Sequence, residues 1–134
     1  MNYVLLIQIG GVFHLICAFS HLFFPKTFHW KENLKELPAD KKIKIKNTMY
    51  LSNTCTLLFW LILSYIPVFY AKEILSTQMG RAILTLIVLF WIVRIFILQP
   101  IFSSYKTREF WIRTIFFLIG FIVFLIPWIA VEWQ

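Results

Sequence analysis

The stretch YVLLIQIGGVFHLICAFSHLFF, Tyr3 to Phe24, carries no charged residue and closes at Pro25. A helix that crosses a bilayer needs about 20 consecutive, mostly apolar residues, so this segment reads as a membrane span. It is too long for the apolar core of a signal peptide, lacks an Ala-x-Ala-like cleavage site and contains two histidines, and it is expected to be retained. Three further runs follow, at about Thr48 to Tyr70, Ala82 to Gln99 and Ile112 to Val131. Barrel strands would alternate in segments of about ten residues, and unbroken runs exclude them. The expected fold is all-α: one polytopic transmembrane domain over residues 1–134, a four-helix bundle with spans at about 3–24, 48–70, 82–99 and 112–131. Composition agrees, with 60% hydrophobic and 14% charged residues, against about a quarter charged in soluble domains.

A net charge of +7 would suggest nucleic acid in a soluble protein. Here the cations sit in short segments beside the spans, so no nucleic-acid partner is expected and membrane lipids are. Between spans one and two lie Lys26, Lys31, Lys35, Lys41, Lys42, Lys44 and Lys46, and Lys106, Arg108 and Arg113 are counted with the segment between spans three and four. The opposite side has only Lys72 and Arg81. The positive-inside rule then places the basic segments in the cytoplasm and both termini outside it, as expected of a bacterial inner-membrane protein. Aromatic residues fall into two matching belts, Trp30, Tyr50, Tyr105 and Trp111 on the inner side and Tyr3, Tyr65, Tyr70, Trp128 and Trp133 on the outer.

In the first basic segment Trp30, Leu34 and Leu37 recur at i, i+4 and i+7 opposite Lys31, Glu32, Lys35 and Glu36, which predicts a short amphipathic interfacial helix over about Thr27 to Leu37, ended by Pro38. Pro67 is expected to kink or end the second span and Pro100 to limit the third. Thr77 or Ser76 suits the cap of the third helix and Thr107 that of the fourth.

Polar residues within spans are costly and mark candidate sites. Gly10 or Gly11, His14, Cys17 or Ala18, and His21 repeat every three to four residues on the first span, a stripe expected to face the bundle. The second span adds Asn53, Thr56 and Ser64, and the third adds Arg94. At about 1.5 Å rise per residue, His14 falls near the midplane and His21, Asn53 and Arg94 about 6 to 11 Å towards the cytoplasm. Arg94 cannot lose its charge, and every acid (Glu32, Glu36, Asp40, Glu73, Glu109, Glu132) lies outside the spans. Its counter-charge is either a lipid phosphate reached by snorkelling or an anionic ligand. The candidate ligand-binding set is therefore Arg94, His21, His14 and Asn53, with no catalytic residue assigned and no metal site.

His14 and His21 are seven residues apart, about 10.5 Å along the axis, so one haem cannot use both. No cofactor is identified. Cys17 and Cys55 fall at similar depths, where a redox pair is weighed against the packing role that their lack of CxxC spacing favours.

In size the chain resembles the small multidrug-resistance transporters, but it lacks the first-span glutamate on which their cation export depends. Through HLFFPKTFHWKENLKEL (His21–Leu37) and FWIVRIFILQ (Phe90–Gln99) it resembles a group of small uncharacterised bacterial four-span inner-membrane proteins, which implies an architecture and no activity. Three function classes stay open: a unit that binds or transports an anionic or amphipathic small molecule, as a homodimer; an accessory or anchor subunit of a larger membrane complex; and an intramembrane redox, haem or quinone enzyme using His14 or His21.

Overall fold

A computed structural model describes residues 2–102 and 107–132. Four helical segments in it are long and apolar enough to cross a membrane: α1 (Tyr3–Thr27), α3 (Ala39–Phe69), a third running Gln78–Ile101, and α7 (Arg108–Glu132). They form a bundle, and the chain is an integral membrane protein. Between the first two spans lies α2 (Trp30–Asn33), and between the second and third lies α4 (Ala71–Ser76). The third span is composite, with α5 (Gln78–Val93), a π-helical turn (Arg94–Leu98) and α6 (Gln99–Phe102). Tyr105, Lys106 and Trp133 of the sequence reading lie outside the described residues.

Local chemistry sets the helix starts. The Asn2 side chain accepts the Leu5 N–H at 3.2 Å, Thr77 Oγ1 accepts the Gly80 N–H at 2.9 Å, and Thr107 Oγ1 accepts the Phe110 N–H at 3.2 Å. Each satisfies an amide that a helix N-terminus leaves unpaired. The Lys72–Gly80 connection is largely helical, and α4 buries Ala71 and Ile74 against the bundle.

α1 runs along α3 and also touches α7, which packs on α5. The predicted small and polar stripe is the face that meets them: Gly10, Gly11, His14, Cys17 and Ala18 are all buried. At Gly11 a Cβ would stand 2.9 Å from the Val68 nitrogen and 3.0 Å from the Ser64 oxygen. The two backbones approach so closely there that only glycine fits. The core around this seam is built by Ile7, Ala18, Leu84, Ile87, Trp91 and Phe124.

Several expected boundaries shift, each for a physical reason. The first helix does not close at Pro25 but continues to Thr27, because the carbonyl that the proline ring leaves without an N–H finds a partner elsewhere. Pro67 likewise lies within α3, two residues before its end. Pro100 does not stop the third span: the helix runs through it to Ile101, with a π-helical turn directly before it. Ahead of it the coil widens, with the Gln99 N–H bonded to the Arg94 carbonyl five residues back. The apolar second span is the later part of a longer helix that starts at Ala39, with the charged residues to Lys46 as its extension. The predicted Thr27–Leu37 helix is cut to Trp30–Asn33, followed by turns to Glu36. α1 consumes Thr27, and His29 then reverses the chain in a left-handed conformation, φ 48°. Its apolar side chains nevertheless fold inward, with Leu34 buried and Trp30 edge-on to Tyr50 at 5.3 Å between ring centroids.

Candidate functional site

Two prolines explain where the polar side chains of the spans are spent. A proline at position i brings no N–H to the carbonyl at i−4. Pro67 thereby leaves the Leu63 carbonyl without its helical donor, and His14 Nδ1 lies 2.9 Å from that oxygen. A carbonyl only accepts, so Nδ1 carries the proton and Nε2 holds the lone pair. Pro25 does the same to the His21 carbonyl, and Asn53 Nδ2 donates to it at 2.9 Å. The Asn53 amide is used twice, because its Oδ1 also accepts from His21 Nδ1 at 2.9 Å. α1 and α3 are thus joined by reciprocal side chain to backbone bonds at two levels.

The sequence grouped Arg94, His21, His14 and Asn53, and the structure divides them. His14 is fully buried in an aromatic cage, its ring 4.8 Å from that of Phe124 and 5.6 Å from that of Trp91. Its Nε2 and the Trp91 Nε1 are buried without a hydrogen-bond partner among the described residues. His14 lines none of the cavities described below.

Arg94 and His21 do share a cavity, of about 440 Å³, walled by all four spans. The π turn begins at Arg94, which is half-buried, and its guanidinium carbon lies 4.5 Å from the centre of the Phe117 ring in a cation–π contact. The guanidinium therefore points into the bundle, and it has no hydrogen-bond or ion-pair partner among the described residues. Cys17, Ser20 and Thr56 supply further polar lining, and Phe24, Phe90 and Phe116 supply apolar wall. Among the described residues no carboxylate lines the cavity. Arg113, which sequence reasoning left with the loop charges, is in the wall as well. Glu109 holds it from the exposed side, at 2.8 Å between Nη2 and Oε2.

Asn53 sits on the other side of His21. It lines a second groove, of about 520 Å³, with Trp30, Lys44, Thr48 and Ser52, and His21, Phe24 and Thr56 form a wall common to both spaces. Asn53 thus orients the His21 ring without touching the Arg94 cavity. Cys17 belongs to the cavity wall while Cys55 is exposed on α3, so the two thiols are not a pair. Among the described residues no three His, Cys, Asp or Glu side chains gather as metal ligands.

The chain matches no protein-family model, no curated protein and no solved structure.

Proposed function

We propose that the chain is a membrane-embedded unit that binds or transports an anionic, amphipathic small molecule, with Arg94 as the anchor and His21 beside it. The supporting observation is the Arg94 guanidinium, directed into a cavity that no carboxylate lines among the described residues. A permanent cation in such surroundings is costly unless an anion joins it. Aromatic walls suit the apolar part of the same molecule, and the cavity volume lies in the range of small-molecule sites, about 300 to 1,000 Å³. In this reading Asn53 positions His21, and His14 ties α1 to α3 behind the site. The orientation that goes with it is a bacterial inner membrane, the lysine-bearing end in the cytoplasm and the site in the inner-leaflet half.

Native mass spectrometry of the purified protein, paired with its absorption spectrum, tests the proposal. An anionic amphiphile should accompany the wild-type chain and be absent from folded Arg94→Met. Equal retention by the two proteins would remove Arg94 as the anchor.

The accessory-subunit reading rests on a different observation. Only 17% of the apolar stretch of α3 is buried, against 33% for α1 and for the third span and 22% for α7, which leaves one long side of α3 open to lipid or to a partner subunit. It predicts that the chain expressed alone is degraded or aggregates, whereas the binding unit is stable by itself.

A further inference from the structure

Among the described residues two arginines, not one, line the cavity, and they come from different spans: Arg94 from the third and Arg113 from α7. His21 adds a third polar group. Because Asn53 Oδ1 takes the Nδ1 proton, Nε2 is the ring nitrogen left for a ligand, an acceptor in the neutral ring and a donor once a bound dianion draws a proton onto it. Glu109 engages a single nitrogen of Arg113 from the exposed side, so the other N–H groups of that guanidinium remain available. Ser20 and Thr56 commit their hydroxyl protons to the carbonyls of Cys17 and Ser52, which leaves the cations to select the ligand.

We infer that the cavity recognises a phosphate monoester carried on an apolar tail, with the phosphate between Arg94, Arg113 and His21 and the tail against the aromatic wall. This deepens the function proposed above and rests on it. A monoester presents three unshared oxygens and close to two negative charges near neutral pH, matching two arginines and an imidazole that takes up a proton as the dianion binds. A carboxylate offers two oxygens and one charge. A phosphodiester such as a common phospholipid also carries one charge and has its other oxygens esterified. Arginine suits the task because its planar fork grips phosphate oxygens in pairs.

The full chain in neutral detergent is titrated with three probes that share a tail: dodecyl phosphate, dodecanoate and dodecylphosphocholine. Heat of binding is the readout, and the fluorescence of Trp60, in the cavity wall, supports it. Dodecyl phosphate is expected to bind about tenfold or more tightly than either competitor, the effect of one additional charge-assisted contact. Arg113→Gln should remove that preference and leave dodecanoate binding in place, while Arg94→Met should weaken all anionic probes. Glu109→Gln, which frees Arg113, should retain or strengthen the preference. Inorganic phosphate should not displace dodecyl phosphate at comparable concentration, and displacement would reassign the site to a soluble phosphate. Equal affinity for dodecyl phosphate and dodecanoate, or an Arg113→Gln variant that keeps the preference, overturns the monoester inference while the anionic-amphiphile function stands. No binding of any probe to folded protein overturns both.

Discussion

Pro67 and His14 act as one unit across two helices. The proline removes an amide donor from the Leu63 carbonyl, and the imidazole replaces it from the facing span. His14→Leu should destabilise the protein by about 1 to 3 kcal/mol, because it strands a carbonyl in apolar surroundings. In a Pro67→Ala background the chain can supply its own N–H, so the same His14→Leu change should cost about 1 kcal/mol less. Thermal unfolding of the four proteins in detergent measures this coupling, and equal losses in both backgrounds would refute it. Arg94 responds differently. Arg94→Lys keeps the charge but loses the planar fork, and ligand affinity should fall about tenfold with little change in stability. Isothermal titration with an anionic amphiphile separates these effects. Part of this was legible in the sequence: polar residues on three spans at one depth do bring Arg94 and His21 to one cavity. His14 was grouped with them because periodicity reports a face but not what the opposite helix presents there. Arg113 was missed because it is the second residue of an apolar run, where a cation reads as a topology signal.

Gly11 shows what an element needs in order to pack. α1 and α3 meet backbone to backbone at this position, with 2.9 Å from a built Cβ to the Val68 nitrogen. Gly11→Ala gains about 1 kcal/mol of helix propensity, but the atoms it meets belong to a helix axis and cannot rotate away. We expect a net loss on the order of 1 to 2 kcal/mol, whereas Leu51→Ala on the exposed side of α3 should be nearly neutral. Unfolding midpoints compared between the two variants test this. The segment after α1 depends on side chains instead. Trp30→Ser with Leu34→Ser removes its inward anchors, one half-buried and one buried, worth on the order of 2 to 4 kcal/mol together. Cleavage between Lys26 and Lys46 should accelerate severalfold while the spans remain folded, and unchanged proteolysis would show that the anchors do not hold it. Apolar run length made the four spans readable. Their ends were less so, because proline reads as a stop in sequence, whereas side chains from the facing helix and a π-helical turn allow the chain to pass Pro25, Pro67 and Pro100 as helix.

At the scale of the whole molecule, charge and packing divide the bundle into two unlike ends. The end bearing α2 and the start of α3 carries the lysine run, and the opposite end is closed by α4 and by neutral links such as Trp128 Nε1 to Thr85 Oγ1 at 2.9 Å and Gln8 Nε2 to the Val68 carbonyl at 3.3 Å. Lysine and arginine near span ends resist translocation, and on that ground the proposed orientation keeps the lysine-bearing end in the cytoplasm. The proposed orientation has a direct consequence for the site: the Arg94 cavity then lies towards the leaflet whose anionic headgroups the lysines attract, and a ligand would be drawn from that side. Alkaline phosphatase fused after Gln134 should be active, and a fluorescent protein that matures only in the cytoplasm should be dark at the same position. Moving cations tests the cause as well as the outcome. Replacing Lys41, Lys42, Lys44 and Lys46 with Gln while adding four lysines between Lys72 and Gly80 should raise the fluorescent fraction and lower the phosphatase signal together. Fluorescence from the unmodified chain would invert the bundle and place the Arg94 cavity in the outer half, where the lysines could no longer serve as its antechamber.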